Sequence, residues 1–467
     1  MQNKQFNHWI IQKMSTLSSS PTIIQNEAES KRLFSQQTYN TIDETLKKQN
    51  ITKEKVIQVC SGNGHTLILT QSKRIYSIGS NEYGQLGLGD KNDRCALSLI
   101  DPDHFDREKI IQVCTGLLYS MALTQNGNVY SWGRFEGDEL RNANKSNYNI
   151  PQKIDNNCFN NEPIKYISAG AFFSFALTKN NNLYSRGGNR DGQLGLGNNG
   201  DRWKQTLIDS NTYNNEKIIK IECGCFHTLL LTEKPNGSTN IYSCGWNYHG
   251  QLGLNHNYNK NTFKLIDPKH FENQKIKDIK STGDSSIALI EQNNSNKIKV
   301  YGWGSNYHGQ LGLGDEEDMN IPCEIDFFNK ENIKSISNRS HHLFAITKQQ
   351  GSNKTKVYAW GNNGEGQLGL GHYKTSLNPT VMNMNYFKME KIVSIAGNIG
   401  SRGCSFAITK TGKLFAWGWN ADGQLGLSNC KQVNEPQLCF PDLFGVEKTN
   451  QKLYNNQSFE DLEFEFG

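Results

Sequence analysis

Between residues 56 and 440, apolar and polar positions alternate in bursts of five or six residues, broken by corners rich in glycine and asparagine. The burst His65-Thr66-Leu67-Ile68-Leu69-Thr70 is typical. Alternation of that period predicts a half-buried strand. An apolar run, Ile57-Gln58-Val59-Cys60, precedes it across the corner Gly62-Asn63-Gly64, and a second strand, Ile75-Tyr76-Ser77-Ile78-Gly79, follows a turn. The turn is Asn126-Gly127 in the second copy and Thr411-Gly412 in the seventh, both hairpin signals. Copies four to six lengthen it, as in Glu233-Lys234-Pro235-Asn236-Gly237. The second strand often closes on Trp-Gly, at Trp132-Gly133, Trp303-Gly304, Trp360-Gly361 and Trp417-Gly418. A large ring followed by glycine suits a strand that packs flat and then bends sharply.

A short phrase then recurs: Gly84-Gln85-Leu86-Gly87-Leu88-Gly89, with copies starting at Gly192, Gly250, Gly309, Gly366 and Gly423 and a degraded one at Gly137-Asp138-Glu139-Leu140. The starts are 53 to 59 residues apart, the length of one supersecondary unit. A polar loop and a fourth short strand follow, as at Pro151-Gln152-Lys153-Ile154, Pro322-Cys323-Glu324-Ile325 and Pro379-Thr380-Val381-Met382. Helical periodicity is missing from the repeats, which argues against a helical solenoid.

Seven units of four strands predict an all-β fold, a seven-bladed β-propeller, because radial stacking buries both faces of each sheet and leaves only short edges. Nothing like Pro-x-x-Ile precedes Val56, whereas Pro436-Gln437-Leu438-Cys439 follows the last phrase. The expectation is that this C-terminal strand closes the ring by entering the first blade. Three regions result: a polar N-terminal extension over 1–55, disordered or helical in part; the propeller over 56–440; and a C-terminal tail over 441–467. That tail ends Phe459-Glu460-Asp461-Leu462-Glu463-Phe464-Glu465-Phe466, which reads as a docking motif, an added edge strand or a frayed end.

Composition narrows the function. Fifty basic residues against 45 acidic ones leave a net charge of +5, with no basic stripe to neutralise phosphates, so no nucleic-acid partner is expected. No run approaches the roughly 20 apolar residues of a membrane span. Eleven scattered cysteines without a C-x-x-C pair or an apolar signal segment read as reduced thiols of a cytoplasmic or nuclear protein. The first 26 residues carry Lys4 and Lys13 and no acid; a mitochondrial transit peptide is open, but the lack of arginine and the frequent Gln and Asn favour a plain polar leader.

The seven repeats resemble the regulator of chromosome condensation repeat family over roughly residues 56 to 440. The resemblance implies the propeller fold. It also implies a range of functions: nucleotide exchange on the small GTPase Ran, ultraviolet-B reception in plants, and propellers fused to ubiquitin-ligase domains. In the exchange factor, Gly-x-x-His corners line the face that meets the GTPase. The matching positions here are His65, Tyr119, Phe173, His227, Ser285, His342 and Cys404, with Asp284 the one acid beside them. His65, Tyr119, Phe173, His227, Asp284 and His342 are therefore the candidate partner-binding residues. Three histidines among seven corners, few acids, no wedge-sized insertion and no basic N-terminal tail weaken Ran exchange. The photoreceptor's corner tryptophans are replaced by Asn63, Leu117, Ala171 and Cys225, with tryptophan concentrated in the Trp-Gly strand ends, which speaks against light sensing.

Each sharper reading has a structural alternative. A corner histidine also serves to hold its loop by bonding neighbouring backbone. The His341-His342 pair has no second cluster at metal-ligand spacing. Gly364-Glu365-Gly366-Gln367-Leu368-Gly369 matches a dinucleotide-binding pattern, but no helix opens after it, so it reads as the blade phrase with an extra glycine. Asp315-Glu316-Glu317-Asp318 reads as a solvated loop, and Phe172-Phe173 with Phe175 as either a hot spot or core. No nucleophile elbow or set-apart carboxylate pair occurs. The chain is accordingly read as a non-enzymatic, monomeric protein–protein interaction scaffold in small-GTPase or ubiquitin-linked regulation, needing no cofactor and no metal. Partners would read the variable segments 90–96, 140–150, 198–204, 255–262 and 372–378. The alternative is a guanine-nucleotide exchange factor for a small GTPase.

Overall fold

The computed structural model describes residues 54–134, 148–292, 297–338, 340–348, 355–400, 402–427, 429–440 and 443–444. The N-terminal leader, the degraded phrase at Gly137 and the acidic-aromatic tail lie outside them. The described residues form seven antiparallel sheets of four strands, each assembled from strands consecutive in sequence. Blade one comprises β1 (Val56–Ser61), β2 (His65–Thr70), β3 (Ile75–Gly79) and β4 (Arg94–Leu99). The same plan recurs over 110–153, 164–207, 217–265, 275–324, 332–381 and 392–439. Each blade packs on the next, and the innermost strand of blade seven meets β1, so the ring is closed as the repeat pattern predicted.

The expected strand exchange is not what closes it. Val433–Cys439 pairs with Leu414–Gly418 as the outer strand of blade seven, and blade one has no vacancy because β4 already pairs with β3 (Tyr76 with Leu99, Gly79 with Arg94). Arg94–Leu99, like the fourth strands of blades three and four, lacks the proline that marks those of blades two, five, six and seven. C-terminal residues nevertheless seal the seam a few positions further on. Glu54 N–H donates to the Leu443 carbonyl (2.9 Å), and buried Phe444 packs edge-on against Tyr76 (6.2 Å) and Phe440 (5.7 Å).

The apolar core lies between blades. Leu67, Leu69 and Ile75 of blade one pack with Val113, Ala122, Tyr130 and Trp132 of blade two, and corresponding clusters join the later pairs. The two recurrent phrases meet at these seams. Each Trp-Gly indole is fully buried and donates to the glutamine carbonyl of the preceding blade's phrase: Trp132 to Gln85 (2.9 Å), Trp303 to Gln251 (3.0 Å), Trp360 to Gln310 (3.0 Å) and Trp417 to Gln367 (2.7 Å). The glycine two residues after that glutamine makes room for the ring: a Cβ on Gly253 would lie 2.8 Å from Trp303 Nε1. Where the tryptophan is missing, something else fills the space. Blade one has Ile78 in that place, and Gly426 of blade seven abuts the ring of Phe440 instead.

Two features escaped the strand pattern. A short 3-10 turn crosses to the next blade and plugs its seam with a buried aromatic, at Phe105, Phe159, Tyr213, Phe271, Phe328 and Phe387. In five of them Asp101, Asp155, Asp209, Asp267 or Asn383 caps the turn with its side chain. An asparagine three residues before the glycine phrase is also fully buried, at Asn81, Asn189, Asn247, Asn306, Asn363 and Asn420. Its Oδ1 accepts the phrase leucine N–H and, from Asn189 for example, its Nδ2 donates to the Asn198 carbonyl, which folds the long loop back on itself.

Two stability measurements follow. Trp303→Phe removes one seam hydrogen bond and should cost about 1–2 kcal/mol. Gly253→Ala forces a side chain onto that indole at a φ of +68°, and should cost about 2 kcal/mol or more. Urea midpoints order the two. Truncation after Cys439, which leaves every blade strand in place, should lower the midpoint through loss of Phe440, Leu443 and Phe444; an unchanged midpoint would refute the aromatic seal.

Candidate partner-binding face

The start of each second strand pairs with the end of each third (His65 with Gly79, His227 with Gly245). The corners between first and second strands therefore share one face of the ring with the long loops between third and fourth strands. The described parts of the variable segments fall on those loops or the adjoining outer strands. The extended glycine pattern at 364–369 also falls there, as the ordinary loop of blade six.

At the corners the backbone itself runs from blade to blade. Asn63 N–H donates to the Leu117 carbonyl (3.1 Å), Leu117 to Ala171 (3.0 Å), Ala171 to Cys225 (3.3 Å), Cys225 to Gly283 (2.8 Å) and Gly283 to Ser340 (3.4 Å). The Ser340 hydroxyl reaches the Gly400 carbonyl (2.7 Å), and Ile399 N–H donates to Ser61 (3.0 Å), which completes the circuit.

Beneath it sit the corner residues. His65, Tyr119, Phe173, His227 and His342 have no solvent-exposed surface. His65 Nε2 lies 3.1 Å from the Ser120 hydroxyl, which itself donates to the Gln85 carbonyl (2.9 Å). His227 repeats this with Ser286 and Gln251, and His342 with Ser405 and Gln367. Since the Ser120 and Ser405 protons are spent on carbonyls, His65 and His342 donate to those serines from Nε2; His227 Nε2 also meets the Ser281 hydroxyl (2.9 Å), and burial keeps all three rings neutral. Tyr119 OH donates to the Phe173 carbonyl (2.5 Å), and the Phe173 ring packs with Phe175 in the core. The three histidines and Tyr119 tie neighbouring blades through hydroxyls and carbonyls about 55 residues away, rather than holding their own loops. In blades one to four the glycine three residues before the corner leaves room for the corner ring: a Cβ on Gly62 would lie 2.2 Å from the His65 ring. In blade five the corner shrinks to Ser285 and that glycine becomes Thr282, whose hydroxyl accepts the Ser285 N–H (2.8 Å).

In blades three to six, what reaches the surface is the residue just before the corner and those after the third strand. Phe172, Phe226, Trp246, Tyr248, His249, Tyr307, His308 and His341 make a nearly continuous tract across blades three to six, flanking recessed Asp284. Trp246 stacks on Tyr248 and meets Phe226 edge-on, and His249 sits 5.3 Å from Trp246 and 6.3 Å from Tyr307. Tyr307 OH lies 3.3 Å from His341 Nε2. His249 Nδ1 is 2.6 Å from an Asp318 carboxylate oxygen, whose other oxygen accepts the Asn306 N–H. Part of the acidic run at 315–318 thus braces its own loop. Sequence reading missed this tract because Trp246 follows its strand-ending glycine instead of preceding it, and the other members come from separate repeats.

A family model for the RCC1-like domain matches residues 105–451, and models of the regulator of chromosome condensation repeat match 56–85 and 73–123. The chain belongs to the RCC1-like domain family. It is 29% identical over 393 residues to the Ultraviolet-B receptor UVR8 of Arabidopsis thaliana, covering 82% of this chain and 81% of that protein. It is 26% identical over 317 residues to the E3 ubiquitin-protein ligase HERC2 of Homo sapiens, covering 68% of this chain but 6% of that protein. Among solved structures, Prp20p of Saccharomyces cerevisiae superposes with a TM-score of 0.64 at 21% identity, over 85% of this chain and 88% of that one; it shares the fold.

The electrostatics of this RCC1-like face divide into two layers. Below, burial drives the imidazoles of His65, His227 and His342 down to about 3. At the surface, burial pushes the Asp284 carboxyl up to about 6, against the pull of His249 and with the push of Asp318. Burial opposes charge on His249, but the Asp318 carboxylate outweighs it and raises its pKa. Burial and the neighbouring His308 and His249 lower His341 to about 4. Among the described residues no group of three or more His, Cys, Asp or Glu could hold a metal ion, and no helix is long and apolar enough to cross a membrane.

Two pH dependences follow. The deep histidines bind fewer protons folded than unfolded, so their contribution is present above about pH 6.5 and is lost as pH falls toward 3. His65→Gln should flatten that acid slope by up to about 1.4 kcal/mol per pH unit, read from urea midpoints between pH 6 and 4. Asp284 behaves oppositely. Its folded pKa is raised, so its stabilising contribution is present below about pH 4 and lost as pH rises through 6. Asp284→Asn should gain about 1–2 kcal/mol over the parent at pH 8 and nothing at pH 4.

Proposed function

We infer that this RCC1-like ring is a non-enzymatic protein–protein interaction scaffold, and that its partner docks on the corner face over blades three to six. The observation that supports this most directly is the aromatic–imidazole tract. Tyr248 and Tyr307 are 55% and 47% exposed there, held in place by Trp246, His249 and His341. Rings with an apolar body and a polar tip, pre-ordered by their neighbours, supply contact area at little entropic cost and recur as binding hot spots. The five buried corner residues serve this role by holding the surface in shape; Asp284 is the one of the original candidates set to touch a partner. The setting fits small-GTPase or ubiquitin-linked regulation: Prp20p is described with its binding to Gsp1p and histones, and HERC2 is named as a ubiquitin ligase.

A second reading is nucleotide exchange on a small GTPase, favoured by the grouping of Asp284, Asp318, His249 and His341 on this face. It would work by binding the nucleotide-free GTPase most tightly, which by linkage lowers affinity for GDP.

The full chain, immobilised at physiological salt, should capture a protein partner that the Tyr248→Ala/Tyr307→Ala double variant binds at least tenfold more weakly, with melting temperature unchanged. Equal binding by the double variant would move the site elsewhere. Release of fluorescent GDP from a panel of small GTPases separates the readings: a scaffold leaves every rate unchanged, whereas an exchange factor accelerates at least one.

A further inference from the structure

The fourth strand of each blade leans across the seam onto the loop of the blade before it, and one repeat position makes the contact. It is the residue after the one paired with the strand-ending glycine: Asn149, Asn261, Asn320, Leu377, Asn434 and, in blade one, Cys95. At two seams the contact is a pair of asparagines. Asn261 donates to Asn199 (3.0 Å) between blades three and four, and Asn320 to Asn257 (3.3 Å) between blades four and five. Asn199 and Asn257 each lie seven positions after the first glycine of their phrase. Seven positions after Gly423 stands Cys430. At the seam between blades seven and one, both members of the pair are thus cysteine, and their sulfurs lie 3.8 Å apart.

That seam differs from the other six, each of which the chain crosses on its way to the next blade. Here the two sides belong to opposite ends of the propeller sequence and meet through non-covalent contacts. Cys430 is exposed and Cys95 partly so, open to a small oxidant.

We propose that Cys95 and Cys430 are an oxidation site, at which a peroxide converts the thiol pair into a disulfide that fastens blade seven to blade one. The exposed Cys430 thiolate attacks a peroxide oxygen. The O–O bond breaks, and one water and a sulfenic acid result. The Cys95 sulfur then attacks the Cys430 sulfur, the S–O bond breaks, and the hydroxyl leaves as a second water. Two thiols and one hydrogen peroxide become one disulfide and two waters. The bond joins residues 335 positions apart, so it constrains the unfolded chain far more than the folded ring and makes the propeller covalently continuous around its axis.

The test uses the full reduced chain, exposed to about one equivalent of hydrogen peroxide, then alkylated and divided between peptide mapping, a non-reducing denaturing gel and a thermal melt. A Cys95–Cys430 cross-linked peptide, a faster-migrating monomer band reversed by dithiothreitol, and a melting temperature raised by about 5 °C are expected. Cys95→Ser and Cys430→Ser should each abolish the band and the shift while melting like the reduced parent. Cys430→Ala, at an exposed position, serves as a further control should Cys95→Ser fold poorly. Persistence of the fast band in the Cys430 variants, or full alkylation of both cysteines after peroxide, would overturn the proposal.

Discussion

The glutamine carbonyl of each Gly-Gln-Leu-Gly phrase points out of its own sheet into a buried seam, where water cannot reach it and an unpaired acceptor would cost a kilocalorie or more. The next blade satisfies it: Gln85, Gln251 and Gln367 each receive an indole N–H from the Trp-Gly strand end and a serine hydroxyl from the start of the second strand, Gln310 receives the Trp360 indole, and Gln193 the Thr228 hydroxyl and the Cys244 thiol. Much of the repeat follows from that demand. The glycine after the phrase leucine clears space for the indole, the serine is orientated by a corner histidine, and His65 and His227 are accommodated by a glycine three residues earlier. A blade cannot meet these requirements alone, so the repeat is stable only as part of a ring.

The same logic separates scaffold from surface. Side chains at the corners are consumed by the seams, and their neutral, deeply buried imidazoles are structural. Variation one residue away is free to differ between blades, and there the aromatic and titratable groups gather. The surface can change partner without disturbing the ring, which is consistent with one fold serving a family of many functions.

The fold was legible because it rests on local signals repeated along the chain: alternation in all seven units, Trp-Gly strand ends in four, and the glycine phrase in six with a degraded seventh. The asparagine before each phrase was equally periodic, but its purpose depends on a loop folding back nine or more residues later. The corner histidines could not be interpreted from one repeat, since their partners lie in the next. The C-terminal strand was displaced by one blade because the strand after each phrase was joined to the repeat that follows it instead of the one before it; an edge strand needs only backbone pairing, so its side chains do not announce which neighbour it joins. The tract on the corner face is spread over Phe172 to His341, and only the stacking of blades brings it together.

The Leu443 and Phe444 contact with Glu54 and Tyr76 joins the two ends of the propeller sequence. During synthesis the flank of blade one, complete at Leu99, must wait for about 345 more residues, through Phe444, to leave the ribosome, on the order of 20–70 s at ordinary elongation rates. Throughout that interval an apolar sheet face stands ready for a neighbour that has not yet been translated. The nascent chain is therefore a natural client for chaperones, and crowded polysomes are where two half-made rings would be tempted to complete one another.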